Sequence, residues 1–355
     1  MRLLLVTNDY PPKPGGIQMY LKNLVDAYPD EILVYAPHDD AADPDEDGVI
    51  RGTKPYMVPG ADLVSSVTDV ATAFGPDAVL FGAPHPLPHL GPALREAIGV
   101  PFGVLSHGAE VTIPAAIPGS RQLLGRMLRA ADVRFAVSRF TATRVERLTR
   151  RPVVHVGAGV EVDTFTPGPE RPFGDPPVVG CVSRFVPRKG QHRLLEAVAR
   201  SDHDVSVLLV GKGRTEQMLR ERARELGVRT RFAVDVPWAE LPDLYRSMDV
   251  FCMPTSSRWG GLEVEGLGLV YLEASACGIP VLAGDSGGSP ETVEPGVTGF
   301  VVSDIDDIVE GLDVLLSDPV RALSMGAAGR RFVEAEYTWE RVIERLYGGF
   351  APHLG

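Results

Sequence analysis

Short apolar, β-rich runs alternate with stretches of helical spacing along almost the whole of this chain, and that alternation leaves few folds open. Leu3–Val6, Ile32–Tyr35, Ala78–Phe81, Phe102–Leu105, Arg134–Val137, Val178–Val182, Val205–Val210, Val250–Met253 and Ile279–Ala283 read as strands buried on both faces. Gln18–Ala27, Leu123–Ala131, Arg193–Arg200 and Glu216–Leu226 carry helical periodicity between them. Strands too apolar to face water, joined by helices, specify parallel sheets covered by helices on both faces. With 355 residues the chain can build two such domains, each with its own core.

The rhythm breaks at Val162–Pro177, where DTFTPGPERPFGDPP is too rich in Pro, Gly and charge to continue a strand or a helix. The predicted division is a first Rossmann-like domain over residues 1–165, a second over 166–337, and a last helix over 338–355. Trp339, Val342, Ile343 and Leu346 lie at helical spacing in that helix, which is expected to cross back to the first domain. Two parallel-sheet domains facing a cleft would bind ligands at the carboxyl ends of their strands, where the glycine-rich segments fall.

A net charge of -12 argues against nucleic acid as the main partner, because phosphate binding needs a basic surface. Cys181, Cys252 and Cys277 sit in apolar runs without metal-ligand spacing and read as small core residues. The opening run MRLLLVTND is too short for a signal peptide, and no later run approaches a spanning helix. A cytoplasmic protein is expected, either free or attached to a membrane only at its surface.

The segment SRWGGLEVEGLGLVYLEASACGIPVLAGDSGGSPE carries the most chemistry. Glu265 and Glu273 would stand about 12 Å apart on one continuous helix, too far for the roughly 5 Å carboxylate pair of a retaining glycosidase. Gly266 and Gly268 instead predict Glu265 in a loop and Glu273 about a turn into a helix. Carboxylates hold sugar hydroxyls, and the open N–H groups of a helix start hold phosphate. A ligand that is half sugar and half diphosphate fits this segment.

The other strand ends supply complementary groups. SRFVPRKGQ offers Arg184 and Lys189, with Arg188 beside them, to a diphosphate. VGKGR places Gly211 and Lys212 where a base or ribose could approach backbone, and it lacks the GxGxxG of nicotinamide enzymes. DYPPKPGGIQ brings Gly15 and Gly16 to a helix start, and SHGAE sets His107 and Glu110 after a strand. The DxD strings Asp202–Asp204 and Asp304–Asp306 lie outside the glycine-rich loops, so no metal site is expected. From Arg121 to Arg151 nine arginines face only Asp132 and Glu146. Leu123, Leu124, Met127 and Leu128 form an apolar face there, which suits equally a helix resting on anionic lipid and one packed on the sheet.

Together, Glu265-x7-Glu273, the Arg184/Lys189 loop, Gly15–Gly16 and His107 resemble the family 4 retaining glycosyltransferases with the two-domain GT-B fold. TNDYPPKPGGIQ, IPGSRQ, SRFVPRKGQ and GGLEVEGLGLVYLEASACGIPV look in particular like the actinobacterial phosphatidylinositol mannosyltransferases. The resemblance spans nearly the whole chain. It implies mannose transfer from GDP-mannose, a substrate rather than a cofactor, to a phosphatidylinositol mannoside glycolipid, adding the second, α-1,6 mannose.

The resemblance also implies residue roles. Glu273 would hold the ribose, Glu265 the donor hexose, and Arg184 with Lys189 the diphosphate. The N–H groups of Gly16 and of Gly266, Leu267, Gly268, Leu269 and Val270 would assist. His107 would contact the hexose near its reacting carbon, Gly211 and Lys212 would border the base with the Asp235–Trp238 loop, and Asp9, Tyr10 and Gln18 would lie on the acceptor side. The chain departs from the family pattern at FAVDVPW, which lacks the usual glycine. No side chain stands out as a nucleophile, which favours front-face attack with the departing phosphate taking the acceptor's proton. The alternatives are a related transferase using a UDP-sugar or another acceptor, an epimerase or phosphorylase on the same fold, and a nucleotide-sugar-binding protein without catalysis.

Overall fold

The computed structural model describes residues 1–169 and 172–354; Glu170 and Arg171, which belong to the predicted break, and Gly355 lie outside it. The chain divides into two compact units, one built from Met1–Gly159 with Trp339–Gly355 and the other from Val160–Thr338. The first holds a seven-stranded sheet in the order β3-β2-β1-β4-β5-β6-β7. Its strands are β1 (Leu3–Val6), β2 (Ile32–Ala36), β3 (Val49–Arg51), β4 (Ala78–Phe81), β5 (Phe102–Ser106), β6 (Val133–Ala136) and β7 (Val154–His155). The second holds six strands in the order β10-β9-β8-β11-β12-β13. These are β8 (Val178–Val182), β9 (Ser206–Val210), β10 (Thr230–Ala233), β11 (Val250–Met253), β12 (Val281–Gly284) and β13 (Gly299–Val302).

All named strand pairs are parallel. Leu3, Leu4, Leu5 and Val6 are fully buried, as the unbroken apolar run of β1 requires. Each such side chain contributes about 1.5–3 kcal/mol by leaving water. Strand order reverses between β1 and β4 in the first sheet and between β8 and β11 in the second. The loops leaving these strands at their carboxyl ends therefore flank a switch-point crevice in each unit.

The division falls between Gly159 and Val160, ahead of the Pro/Gly stretch that the sequence suggests as the boundary. Local packing explains the difference. Val160 N–H donates to the Tyr337 carbonyl and Val160 bridges Thr338, while Phe165 stacks edge-on against Trp238 and Tyr245 at 5.9 and 5.8 Å. The last helix, Trp339–Phe350, buries Trp339, Val342, Ile343, Leu346 and Phe350. Trp339 meets Tyr20 at 5.3 Å, and Phe350 meets Phe135 at 5.2 Å. Gly159 makes this approach possible, since a Cβ there would sit 2.3 Å from the indole of Trp339.

Candidate active site

The second unit collects most of the predicted residues. The loop after β8 is pinned by Gln191, whose amide donates to Ser183 Oγ at 2.8 Å and to the Arg184 carbonyl at 3.0 Å. Phe185 anchors it in the core, and its N–H donates to the Lys212 carbonyl in the loop after β9. Gly211, at φ 131, lies so close to that loop that a Cβ would meet the Ser183 carbonyl at 2.2 Å. Lys212 itself points to solvent and pairs with Asp235 at 2.5 Å.

The chain then turns Lys189 inward. Lys189 Nζ donates to Glu265 Oε2 at 2.6 Å, and Arg188 Nη1 donates to the same oxygen at 2.5 Å. Glu265 Oε1 accepts no hydrogen bond among the described residues and remains open to a ligand hydroxyl. Arg188 also reaches Glu263 at 3.7 Å, and Arg258 reaches Glu263 at 3.6 Å. Burial works to raise the Glu265 carboxyl, but Lys189 and Arg188 outweigh it and hold the group at about 2. Burial lowers the Lys189 ammonium despite its carboxylate partner. Arg184 is exposed, and among the described residues its guanidinium makes no hydrogen bond or ion pair. Of the cations that the sequence offers to a diphosphate, Lys189 and Arg188 pair with Glu265 while Arg184 does not.

Glu265 sits in a loop, and its backbone is clamped. Its N–H donates to Ser286 Oγ at 3.2 Å, and its carbonyl accepts from Gly288 N–H at 3.0 Å. Four residues on, a helix spans Leu269–Ala276 behind Gly268, which has φ 98 and provides no side-chain cap. The N–H groups of Gly266, Leu267, Leu269 and Val270 donate to no backbone carbonyl among the described residues, leaving an uncapped, positively polarised helix start.

Glu273 lies within this helix and accepts from the buried Tyr245 hydroxyl at 2.6 Å. Burial raises its carboxyl to about 7, with Tyr245 opposing and Glu161 adding to the shift. The two glutamates thus share a segment but titrate in opposite directions. Glu273 binds its proton more tightly folded than unfolded, so stability falls as pH rises from its ordinary value of 4.5 through about 7. Thermal melts from pH 4 to 8 are expected to show this decline in the wild type and a flatter profile in Glu273→Gln; identical profiles would remove the assignment.

In the first unit, the loops after β1, β4 and β5 converge. Gln18 donates to Asp9 Oδ1 at 2.7 Å, a contact that needs Gly15, where a Cβ would meet Gln18 Oε1 at 2.1 Å. Burial raises the Asp9 carboxyl; Lys13 and His107 lower it and Glu110 raises it, so all four share one electrostatic neighbourhood. His107 Nε2 lies 2.9 Å from the Gly82 carbonyl, which requires the proton on Nε2 and leaves Nδ1 as acceptor in the neutral ring. Tyr20 packs edge-on against it at 5.1 Å. Glu110, given no role by the sequence, accepts from the N–H groups of His107 and Gly108 and so shapes the turn. Gly16 opens the helix Gly16–Asp26, and its surroundings are clear of other atoms. Tyr10 is only 2% exposed, which puts its ring in the core rather than on an acceptor-facing surface.

The basic segment divides in a similar way. Leu124, Met127 and Leu128 are buried in the helix Pro118–Ala130, so most of its apolar face packs inward. Arg134 is also buried, donating to the carbonyls of Pro152, Leu128 and Ala131. Leu123, Ile113 and Ile117 remain exposed, as do Arg121 and Arg126. Among the DxD residues, Asp304 caps a helix by accepting from Asp307 N–H at 2.9 Å, while Asp204 and Asp306 pair with Arg229 and Arg200.

Comparison with known proteins adds the following. The model of glycosyl transferases group 1 matches residues 164–332, and that of glycosyltransferase family 4 matches residues 14–164. The chain is 39% identical to the GDP-mannose-dependent monoacylated alpha-(1-6)-phosphatidylinositol monomannoside mannosyltransferase of Corynebacterium glutamicum, covering 97% of this chain and 96% of that protein. It is 40% identical to the GDP-mannose-dependent alpha-(1-6)-phosphatidylinositol monomannoside mannosyltransferase of Mycolicibacterium smegmatis, covering 98% of each. HepE from Anabaena, solved in complex with UDP, superposes with a TM-score of 0.80 at 19% identity over 99% of this chain and 100% of that one. Sucrose-phosphate synthase from Thermosynechococcus elongatus gives 0.79 at 22% identity over 99% of each chain. These two structures share the fold.

Proposed function

We propose, from the premise that the chain belongs to glycosyltransferase family 4, that it transfers mannose from GDP-mannose to a phosphatidylinositol monomannoside, forming an α-1,6 linkage. The observation that carries this reading is the arrangement around Glu265: the buried Lys189 and the part-buried Arg188 on one oxygen, a second oxygen with no hydrogen bond among the described residues, and an uncapped helix start beyond it. Positive charge and sugar-binding carboxylate meet there, as a donor that is half sugar and half diphosphate needs. The relatives' shared use of GDP-mannose supports the choice of donor.

In this reading Arg184 closes on the diphosphate from solvent, while Lys189 and the N–H groups of Gly266–Val270 hold it from within. They stabilise the negative charge that grows on the leaving group. Glu265 Oε1 orients the hexose, and Glu273 takes the ribose hydroxyls. His107 Nδ1 and the Asp9–Gln18 pair are the first unit's candidates for hexose and acceptor contacts. Transfer proceeds with retention by front-face attack: the acceptor oxygen bonds to the anomeric carbon as the diphosphate departs, and a diphosphate oxygen takes the hydroxyl proton. Neither a resident metal nor a cofactor is part of this scheme. No helix among the described residues is long and apolar enough to cross a membrane. Exposed Ile113, Ile117 and Leu123 beside Arg121 and Arg126 support peripheral contact with anionic lipid.

The test is incubation with labelled GDP-mannose, UDP-glucose or UDP-GlcNAc and a phosphatidylinositol mannoside extract, with and without EDTA. Label in lipid from GDP-mannose alone, undiminished by EDTA and released by an α-mannosidase, is expected. Label from a UDP-sugar alone would overturn the donor. Tight nucleotide binding without transfer to any lipid would make the protein a binder.

A further inference from the structure

Just ahead of Glu265 the chain makes a small hairpin that the scheme above leaves unused. Arg258 and Glu263 pair through backbone bonds of 2.9 and 3.3 Å, and the residues between them form its tip. Trp259 stands there, 66% exposed, with φ 50. Bulky L residues rarely adopt that left-handed conformation. Gly260 and Gly261 follow at φ 64 and φ 88, so three successive residues turn through left-handed backbone before Leu262 returns to φ -77. The Arg258 guanidinium covers one face of the ring at 5.3 Å and fixes it, leaving the other face to be presented.

The base of the hairpin is joined to the site by side chains. Glu263 contacts both Arg258 and Arg188, Arg188 holds Glu265, and Ser257 Oγ lies 3.0 Å from the Ser286 Oγ that receives Glu265 N–H. Glu263 Oε2 is buried and faces Arg258 Nη1 at 3.6 Å, beyond hydrogen-bond distance, and accepts no hydrogen bond among the described residues. A strained tip, an uncovered indole and a carboxylate held only by long ion pairs therefore fall together within a few residues. A sugar supplies what they lack: an apolar ring face for the indole and hydroxyl donors for the carboxylate.

Which sugar follows from exposure. Glu265 is 9% exposed at the base of the hairpin, whereas Trp259 is 66% exposed at its tip. With the donor hexose assigned to the buried carboxylate, the sugar left for the exposed indole is the acceptor's. We propose that Trp259 is a stacking platform for the glycan of the acceptor, with Glu263 taking one of its hydroxyls. This deepens the mannosyltransferase reading and rests on it.

The test uses the 355-residue chain with a deacylated phosphatidylinositol monomannoside head group, which carries the glycan without the lipid. Trp259→Gly suits the observed φ and is expected to melt no lower than the wild type. It should raise the KM for the head group about tenfold, the size of one lost stacking contact, and leave kcat and the KM for GDP-mannose unchanged. Trp259→Phe should restore most of the loss. Head-group binding should change tryptophan fluorescence in the wild type but not in Trp259→Phe.

Equal head-group KM values in wild type and Trp259→Gly would overturn the platform. So would a rise confined to the KM for GDP-mannose, which would make it a donor contact. A defect seen only with acceptor in vesicles, not with the free head group, would also overturn it by making the indole a membrane anchor. If the wild type transfers nothing yet shows Trp259-dependent quenching by the head group, the platform stands and the reaction assignment falls.

Discussion

Glu265→Ala is expected to abolish transfer and also to destabilise the second unit by about 3–5 kcal/mol, because it strands the buried Lys189 and the part-buried Arg188. The side chains of Lys189 and Arg188 are only 10% and 13% exposed, and both donate to the same Glu265 oxygen. With the carboxylate gone, burial pushes Lys189 to shed its proton, and Arg188 keeps only its longer contact with Glu263. Urea unfolding checks the stability claim and GDP release checks activity. Glu265→Gln, which keeps an acceptor oxygen, should unfold between the two. Replacing Glu265 and Lys189 together by Leu and Met should recover much of the stability and none of the activity. A midpoint for Glu265→Ala equal to wild type would show that the cations are not paying a burial cost. The same network predicts an acid limit: the Glu265 contribution is complete above its ordinary value of 4.5 and is lost as pH falls towards about 2.

Arg184→Ala should separate catalysis from folding. Its guanidinium is exposed and bonded to nothing among the described residues, so its removal should change stability by no more than about 0.5 kcal/mol. Transfer should nevertheless fall on the order of 10²-fold, the scale of one lost donor to a developing charge. Arg184→Lys should recover part of this, because a point charge attracts phosphate but cannot grip two oxygens. A loss of transfer below threefold, or a loss matched by an earlier melt, would remove Arg184 from the donor site. The contrast between the two variants is the sharper test: one cation pair is built into the core and the free arginine is not.

What the sequence made legible follows from how each element is buried. Nine strands were readable because they are the interior strands, covered on both faces and mostly apolar, Arg134 in β6 being the exception in charge. The four it did not show, β3, β7, β10 and β13, are the outer strands of the two sheets. Val-Ile-Arg in β3 and Thr-Arg-Phe-Ala in β10 are short and partly wetted, so neither a buried run nor a clean alternation marks them. In the candidate site, residue type and strand-end position were enough to single out Glu265, Glu273 and Lys189. Partner choice was not, because it depends on side-chain direction. Nothing in SRFVPRKGQ says that the short turn Pro187–Lys189 swings Arg188 inward and leaves Arg184 out. Tyr245 was invisible for a related reason, since it reaches Glu273 from a separate element, and Ser286, though inside the quoted segment, gives no sign there that it receives Glu265 N–H. Glu110 stood in a quoted motif, and its three-residue spacing from His107 is the signal that could have found its turn-shaping role.

The return of the last helix to the first unit has a bearing on biosynthesis. Tyr20, Phe135 and Gly159 leave the ribosome before the second unit, whereas their packing partners Trp339 and Phe350 follow it. The second unit, Val160–Thr338, is contiguous and can close its core while translation continues. The first unit must wait, with apolar surface uncovered, until Trp339–Phe350 has been made. The order of completion is thus the reverse of the order of synthesis, and a premature stop before Trp339 would spare the later unit and cripple the earlier one.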